Sequence, residues 1–129
     1  MIKLVYCVTR REDVSPEEFY RYWLEEHGPK VRSVAKALNA VKYIQSHTVL
    51  PERNQALQES RGLEPPYDGI TEVWYPSPGE PREEVSAEER QAAAKLLFDD
   101  ESRFIDFSRS RVFMTEEHVI FDYTEGTNA

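Results

Sequence analysis

The stretch Ser15-Pro16-Glu17-Glu18-Phe19-Tyr20-Arg21-Tyr22-Trp23-Leu24-Glu25-Glu26-His27 decides the fold. A hydroxyl at the N-cap, proline at the first helical position and glutamate at the third satisfy the N–H groups that a helix start leaves free, so a helix begins at Pro16. At about 100° per residue, Phe19, Tyr20, Trp23, Leu24 and His27 fall within an arc of roughly 140°, with His27 near its middle and Arg21 and Glu25 opposite. The helix therefore owns one aromatic face that must lie against something apolar, and an imidazole projects from that face. The helix is expected to stop near His27-Gly28-Pro29, because glycine tolerates the left-handed closing turn and proline disfavours helix in the residue before it. A second helical piece is expected from Pro29 to about Leu38.

Upstream, residues 2–9 mix Ile, Leu, Val, Tyr and Thr in a run too short for a typical helix, which predicts a buried strand. Downstream, residues 41–49 are rich in β-branched and aromatic residues and end before Pro51, predicting strand two. From 51 to 69 the composition turns polar, with one or two helical turns expected at 54–60 inside a long loop or lid. Residues 70–75 read as strand three, closed by Pro76-Ser77-Pro78-Gly79. Residues 87–107 carry good helix formers and an apolar set, with a break expected around Asp99-Asp100-Glu101. Strand four is expected from about Arg111 to Phe121, with a flexible tail at 124–129. The order strand, helix, strand, strand, helix, strand is that of a ferredoxin-like βαββαβ unit: an α+β fold with a four-stranded antiparallel sheet and helices on one face. One domain is expected over 1–129. The uncovered sheet face would be a large apolar patch, so a homodimer is expected.

Charge and composition narrow the partners. The 129 residues carry a formal net charge of -8 with no basic stripe, so the summed field repels a phosphate backbone, and nucleic acid is not expected. No apolar run reaches the roughly 20 residues of a membrane span. Cys7 is the sole cysteine, which forbids an internal disulfide and suits a reducing compartment. The chain starts directly on a strand-like pattern with no secretory apolar segment, and the cytoplasm is the expected location.

For chemistry, His27 is either a core histidine bonded to a backbone carbonyl or a general acid or base, the one side chain that titrates unperturbed near neutral pH. A period of two places Tyr43, Gln45 and His47 on one face of strand two. If that face meets the helix, Tyr43 can donate to a developing oxyanion near His27; if it meets solvent or a second subunit, the three are ordinary strand surface. Glu72 is expected to be an edge-facing glutamate rather than a buried, paired one, and Glu116-Glu117-His118 an exposed charge run. His27, His47 and His118 come from different elements without tight ligand spacing, so no metal is expected, and no glycine-rich loop points to a nucleotide cofactor. Cys7 reads as a small buried hydrophobe.

Taken together, Phe19-Tyr20-Arg21-Tyr22-Trp23 leading to Glu26-His27-Gly28-Pro29, then Tyr43-Ile44-Gln45-Ser46-His47, Tyr67-Asp68-Gly69-Ile70-Thr71-Glu72-Val73-Trp74-Tyr75, Asp100-Glu101-Ser102-Arg103-Phe104-Ile105-Asp106 and Glu116-Glu117-His118 resemble the EthD domain family over nearly the whole chain. The resemblance implies a dimeric α+β barrel with a pocket between helices and sheet in each subunit. Related dimeric barrels include cofactor-free lactone isomerases, polyketide cyclases, decarboxylases and monooxygenases. In the isomerases a histidine after the first helix and a tyrosine on the second strand line the pocket, positions matched here by His27 and Tyr43; their third-strand cysteine is replaced by Val73. The expectation is a cofactor-independent enzyme acting on a small hydrophobic, cyclic or aromatic molecule, with His27 and Tyr43 catalytic and Tyr6, Trp23, His47, Tyr75 and Phe104 holding the ligand. The alternative is a non-catalytic carrier that serves an oxygenase system.

Overall fold

The computed structural model describes residues 1–76 and 84–124. Strand β1 (Ile2–Val8) is followed by α1 (Pro16–Tyr22), a π-helical turn (Trp23–His27) and α2 (Gly28–Val34). Then come β2 (Lys42–His47), α3 (Pro51–Arg61), β3 (Gly69–Tyr75), α4 (Ala87–Glu101), a 3₁₀ turn (Phe107–Arg109) and β4 (Arg111–Glu116). All neighbouring strands run antiparallel in the order β2-β3-β1-β4, the ferredoxin-like arrangement. The register opposes Tyr6 to Thr71 and Val112, Leu4 to Val73, and Tyr43 to Val73, so these side chains share one face. The helices cover that face, and Val8, Phe19, Trp23, Phe104 and Ile105 form the core between the layers. Both longer helical runs start as their sequences dictate, with Ser15 Oγ accepting from Glu18 N (3.2 Å) and Ser86 Oγ from Glu89 N (3.1 Å).

Several expectations need correction. The first helix does not stop at Gly28: that residue is right-handed helical (φ -52°), its N–H reaches Trp23 O, and the chain continues into α2. Pro29 has no N–H to give and its ring would crowd the carbonyl four residues back, and the widened turn accommodates both. Leu24, counted on the apolar stripe, is 59% exposed, because the face that touches the sheet is narrower than the arc. The polar segment after Pro51 is a regular helix, α3, closed by Gly62 in the left-handed conformation at φ 63°; its polar composition reflects a helix with no buried residue. Strand β4 ends at Glu116 rather than Phe121, since it pairs only with β1 and Glu116 already faces Ile2, leaving no backbone for residues 117–121 to bond.

Glu72 is also not edge-facing. It lies on the face away from the helices, where it accepts from Lys3 Nζ at 2.8 Å. The run at 116–118 is exposed as expected, and within it Glu117 accepts from Trp74 Nε1 at 2.7 Å. The predicted break in the second long helix falls at its actual end, Glu101. Residues 77–79 of the expected closing turn and 125–129 of the expected tail lie outside the described residues.

Candidate functional site

The aromatic face of α1 reaches the sheet because β3 begins with glycine. A Cβ at Gly69 would stand 2.5 Å from Ser46 O and 2.6 Å from the Trp23 ring, so only a bare backbone lets the indole lie there. The indole also stacks on His47, with centroids 4.5 Å apart and planes 14° apart. Gln45 donates from Nε2 both to Trp23 O and to the Tyr43 hydroxyl, each at 2.8 Å. These contacts settle the face of β2: Tyr43, Gln45 and His47 point toward the helices. Gln45 thereby adds a second donor to Trp23 O, which already accepts from Gly28 N–H across the π-helical turn.

One turn past Trp23, His27 is buried (5% exposed) and edge-on to Phe104 at 5.1 Å. Its Nδ1 lies 2.7 Å from Asp100 Oδ2, on the last turn of α4 and 73 residues away in the chain. Asp100 is itself buried, and its other oxygen accepts from Lys30 Nζ (2.7 Å) and the Tyr22 hydroxyl. A carboxylate at that distance fixes the proton on Nδ1, which leaves Nε2 as the free lone pair. Every fully buried side-chain nitrogen and oxygen among the described residues has a partner, and Nε2 has no protein partner, so it opens on the adjoining hollow.

That hollow is a cavity of ≈ 380 Å³ between sheet and helices. Tyr6, Tyr43, Thr71, Val73 and Tyr75 rise into it from the sheet; Trp23, His27, Leu97, Phe98 and Glu101 close it from the helices. Phe98, Phe107 and Val112 line it yet are 59%, 39% and 55% exposed, which places the mouth between the end of α4 and β4. Of the residues singled out from the sequence, Tyr6, Trp23, His27, Tyr43 and Tyr75 meet here. Phe104 does not line the cavity but packs behind the imidazole, and His47 sits on the far side of Trp23, in a separate shallow hollow. No lining residue comes from 51–69, where a lid was expected. A neighbouring hollow of ≈ 470 Å³ shares Val31, Ala40 and Tyr43 with the cavity, and its charged lining is Arg32 and Lys42.

The electrostatics follow from burial. Desolvation lowers the His27 pKa and Asp100 pushes back, with a net displacement below the ordinary imidazole value, so the ring is neutral and basic at Nε2 near pH 7. Burial pushes Asp100 up, but hydrogen bonds from Lys30, Tyr22 and His27 outweigh it and keep the carboxyl below its ordinary value. Burial raises the Tyr43 and Tyr75 phenols, which stay protonated and able to donate. Glu101 is pushed up to about 7 by burial and by the charge of Asp100, against the pull of the Tyr6 hydroxyl. Asp100 and Glu101 were not singled out as site residues from the sequence. The available signal was their place: two carboxylates in the last turn of a helix oppose the helix dipole and call for a tertiary reason.

Arrangement and fold together define a ferredoxin-like α+β protein with a buried histidine–aspartate pair facing an apolar cavity. The EthD domain model matches residues 11–108, and the chain belongs to that family. An ethyl tert-butyl ether D (EthD) family protein from Bacillus halodurans C-125 superposes with TM-score 0.58 at 18% identity, covering 92% of this chain and 99% of that one. An EthD-like protein from Ralstonia eutropha JMP134 gives TM-score 0.52 at 14% identity, covering 96% of each chain. No curated protein matches the sequence. Among the described residues no helix is long and apolar enough to cross a membrane.

Proposed function

We propose that the chain is a single EthD domain that performs cofactor-independent acid/base chemistry on a small hydrophobic, cyclic or aromatic molecule held in the cavity. The observation that carries this reading is the buried Asp100–His27 pair. Asp100 holds the imidazole in one tautomer and orientation and stabilises the imidazolium that forms when Nε2 takes a proton, while Tyr43 donates to the oxygen on which charge develops. Trp23, Tyr6 and Tyr75 shape the apolar wall around the ligand.

The test uses 2-tetralone, an uncharged bicyclic ketone, in D₂O: the protein should bind it and accelerate exchange of its α-protons. His27→Ala should lower that rate by about 10²-fold or more while binding changes little. Binding without exchange in the wild type would turn the site into that of a carrier.

The same reading places a second copy of the chain over the open sheet face, where Ile44 and Phe113 are 38% and 49% exposed. Native mass spectrometry should then show twice the 15.1 kDa chain mass, and a 15.1 kDa species would refute the dimer.

A further inference from the structure

His27 is not the only titratable side chain on the cavity wall. Glu101 follows Asp100 in the last turn of α4, and the roughly 100° between successive side chains sends them to different places. Asp100 backs the imidazole, whereas Glu101 opens on the hollow among Leu97, Phe98 and Ile105, beside the Tyr6 hydroxyl. Among the described residues no lysine or arginine lines the cavity, so none of them offsets a negative charge there. An apolar wall without a cation favours the protonated carboxyl, and a protonated carboxyl is a hydrogen-bond donor with a proton to give.

We propose that Glu101, with Tyr6 beside it, is a second proton-carrying group of the cavity and that the wall, with no lysine or arginine among its described residues, restricts the ligand to uncharged ring ketones and phenols. This rests on the acid/base reading of His27 and specifies its substrate class. The step balances without any other reactant. His27 Nε2 takes a proton from the carbon next to a carbonyl, the C–H electron pair becomes the C=C of an enol, and the carbonyl oxygen receives the proton of Glu101. Imidazolium and carboxylate are left, and reversal restores both, returning the proton to the same carbon or to a conjugated one. A carboxylate ligand would face an ionised Glu101 with no cation among the described lining residues to offset the two charges.

The pH dependence of 2-tetralone exchange separates the parts. In the wild type the rate should fall on the acid side as His27 protonates and on the alkaline side as Glu101 ionises near pH 7. Glu101→Gln keeps a hydrogen-bond donor of the same shape but has no proton to give and cannot titrate, so the exchange rate should fall to the wild type's alkaline level and the alkaline limb should disappear, while 2-tetralone binding, read by quenching of tryptophan fluorescence, stays within about threefold. The anion 2-naphthoate should bind the wild type at least about tenfold more weakly than 2-tetralone at about pH 8, and the gap should narrow in Glu101→Gln. An unchanged alkaline limb in Glu101→Gln, with exchange still lost in His27→Ala, would overturn the role of Glu101 and leave that of His27 intact. Equal affinity for 2-naphthoate would overturn the charge filter. A wild type that exchanges nothing would overturn both roles together.

Discussion

Glu101→Gln should stabilise the protein at about pH 8 and leave it nearly unchanged at about pH 5. In the unfolded chain the carboxyl titrates at its ordinary 4.5, whereas in the folded protein it is pushed up to about 7. Between those values the native state holds a proton that the unfolded state has released, so stability falls as pH rises through the window and the full penalty is present above it. At about 1.4 kcal/mol per pH unit the displacement corresponds to about 3 kcal/mol, and residual access of water to a partly exposed side chain lowers the expectation to about 1.5–3 kcal/mol. Glutamine carries no such penalty. His27 and His47 work in the opposite sense: both are displaced below the ordinary imidazole value, so the unfolded chain takes up protons first and stability rises with pH toward 6.5. Those contributions are common to both proteins and cancel in the difference. Urea denaturation at fixed protein concentration from about pH 5 to pH 8, followed by tryptophan fluorescence, measures it directly. A difference between variant and wild type that stays constant with pH to within about 0.5 kcal/mol would refute the burial of Glu101 as described.

Gly69→Ala should destabilise by about 1–3 kcal/mol, because the added methyl meets a backbone oxygen and an immobile indole rather than a yielding side chain; an unchanged urea midpoint would be inconsistent with that packing. Asp100→Ala strips the acceptor from His27 and Tyr22 and should cost about 2–4 kcal/mol in the same assay. Asp100→Asn should move the His27 titration, followed by NMR, to still lower pH, since the carboxylate supports the imidazolium; a midpoint that does not move would show that the pair is not formed in solution. Ser86→Ala removes the N-cap of α4 and should cost about 1 kcal/mol by thermal or urea unfolding, with an effect below about 0.3 kcal/mol counting against the cap.

The places where sequence and structure part share one cause. Ser15-Pro16 marked a helix start because capping is satisfied within a few residues of chain, and strand positions showed through a period of two that depends only on local geometry. Gly28-Pro29 misled because both residues are locally suited to ending a helix. The continuation runs through a π-helical turn in which Trp23 O accepts from Gly28 N–H and also from Gln45 on another element. Residues 117–121 have strand composition but no partner, and pairing is a property of two segments. The helix at Pro51–Arg61 showed only as one or two turns at 54–60 because it has no buried face for a hydrophobic pattern to report.

The sequence by itself determined the element order, the ferredoxin-like class, the family and the aromatic stripe with an imidazole in it, all of which are written in local propensity and short-range periodicity. Only the tertiary structure decided what that imidazole does. Asp100 reaches it from 73 residues away, Gly69 makes room for the tryptophan beside it, and Glu101 acquires its affinity for a proton from the apolar wall around it. Desolvation and charge depend on what surrounds a group in space, and no spacing along the chain encodes that.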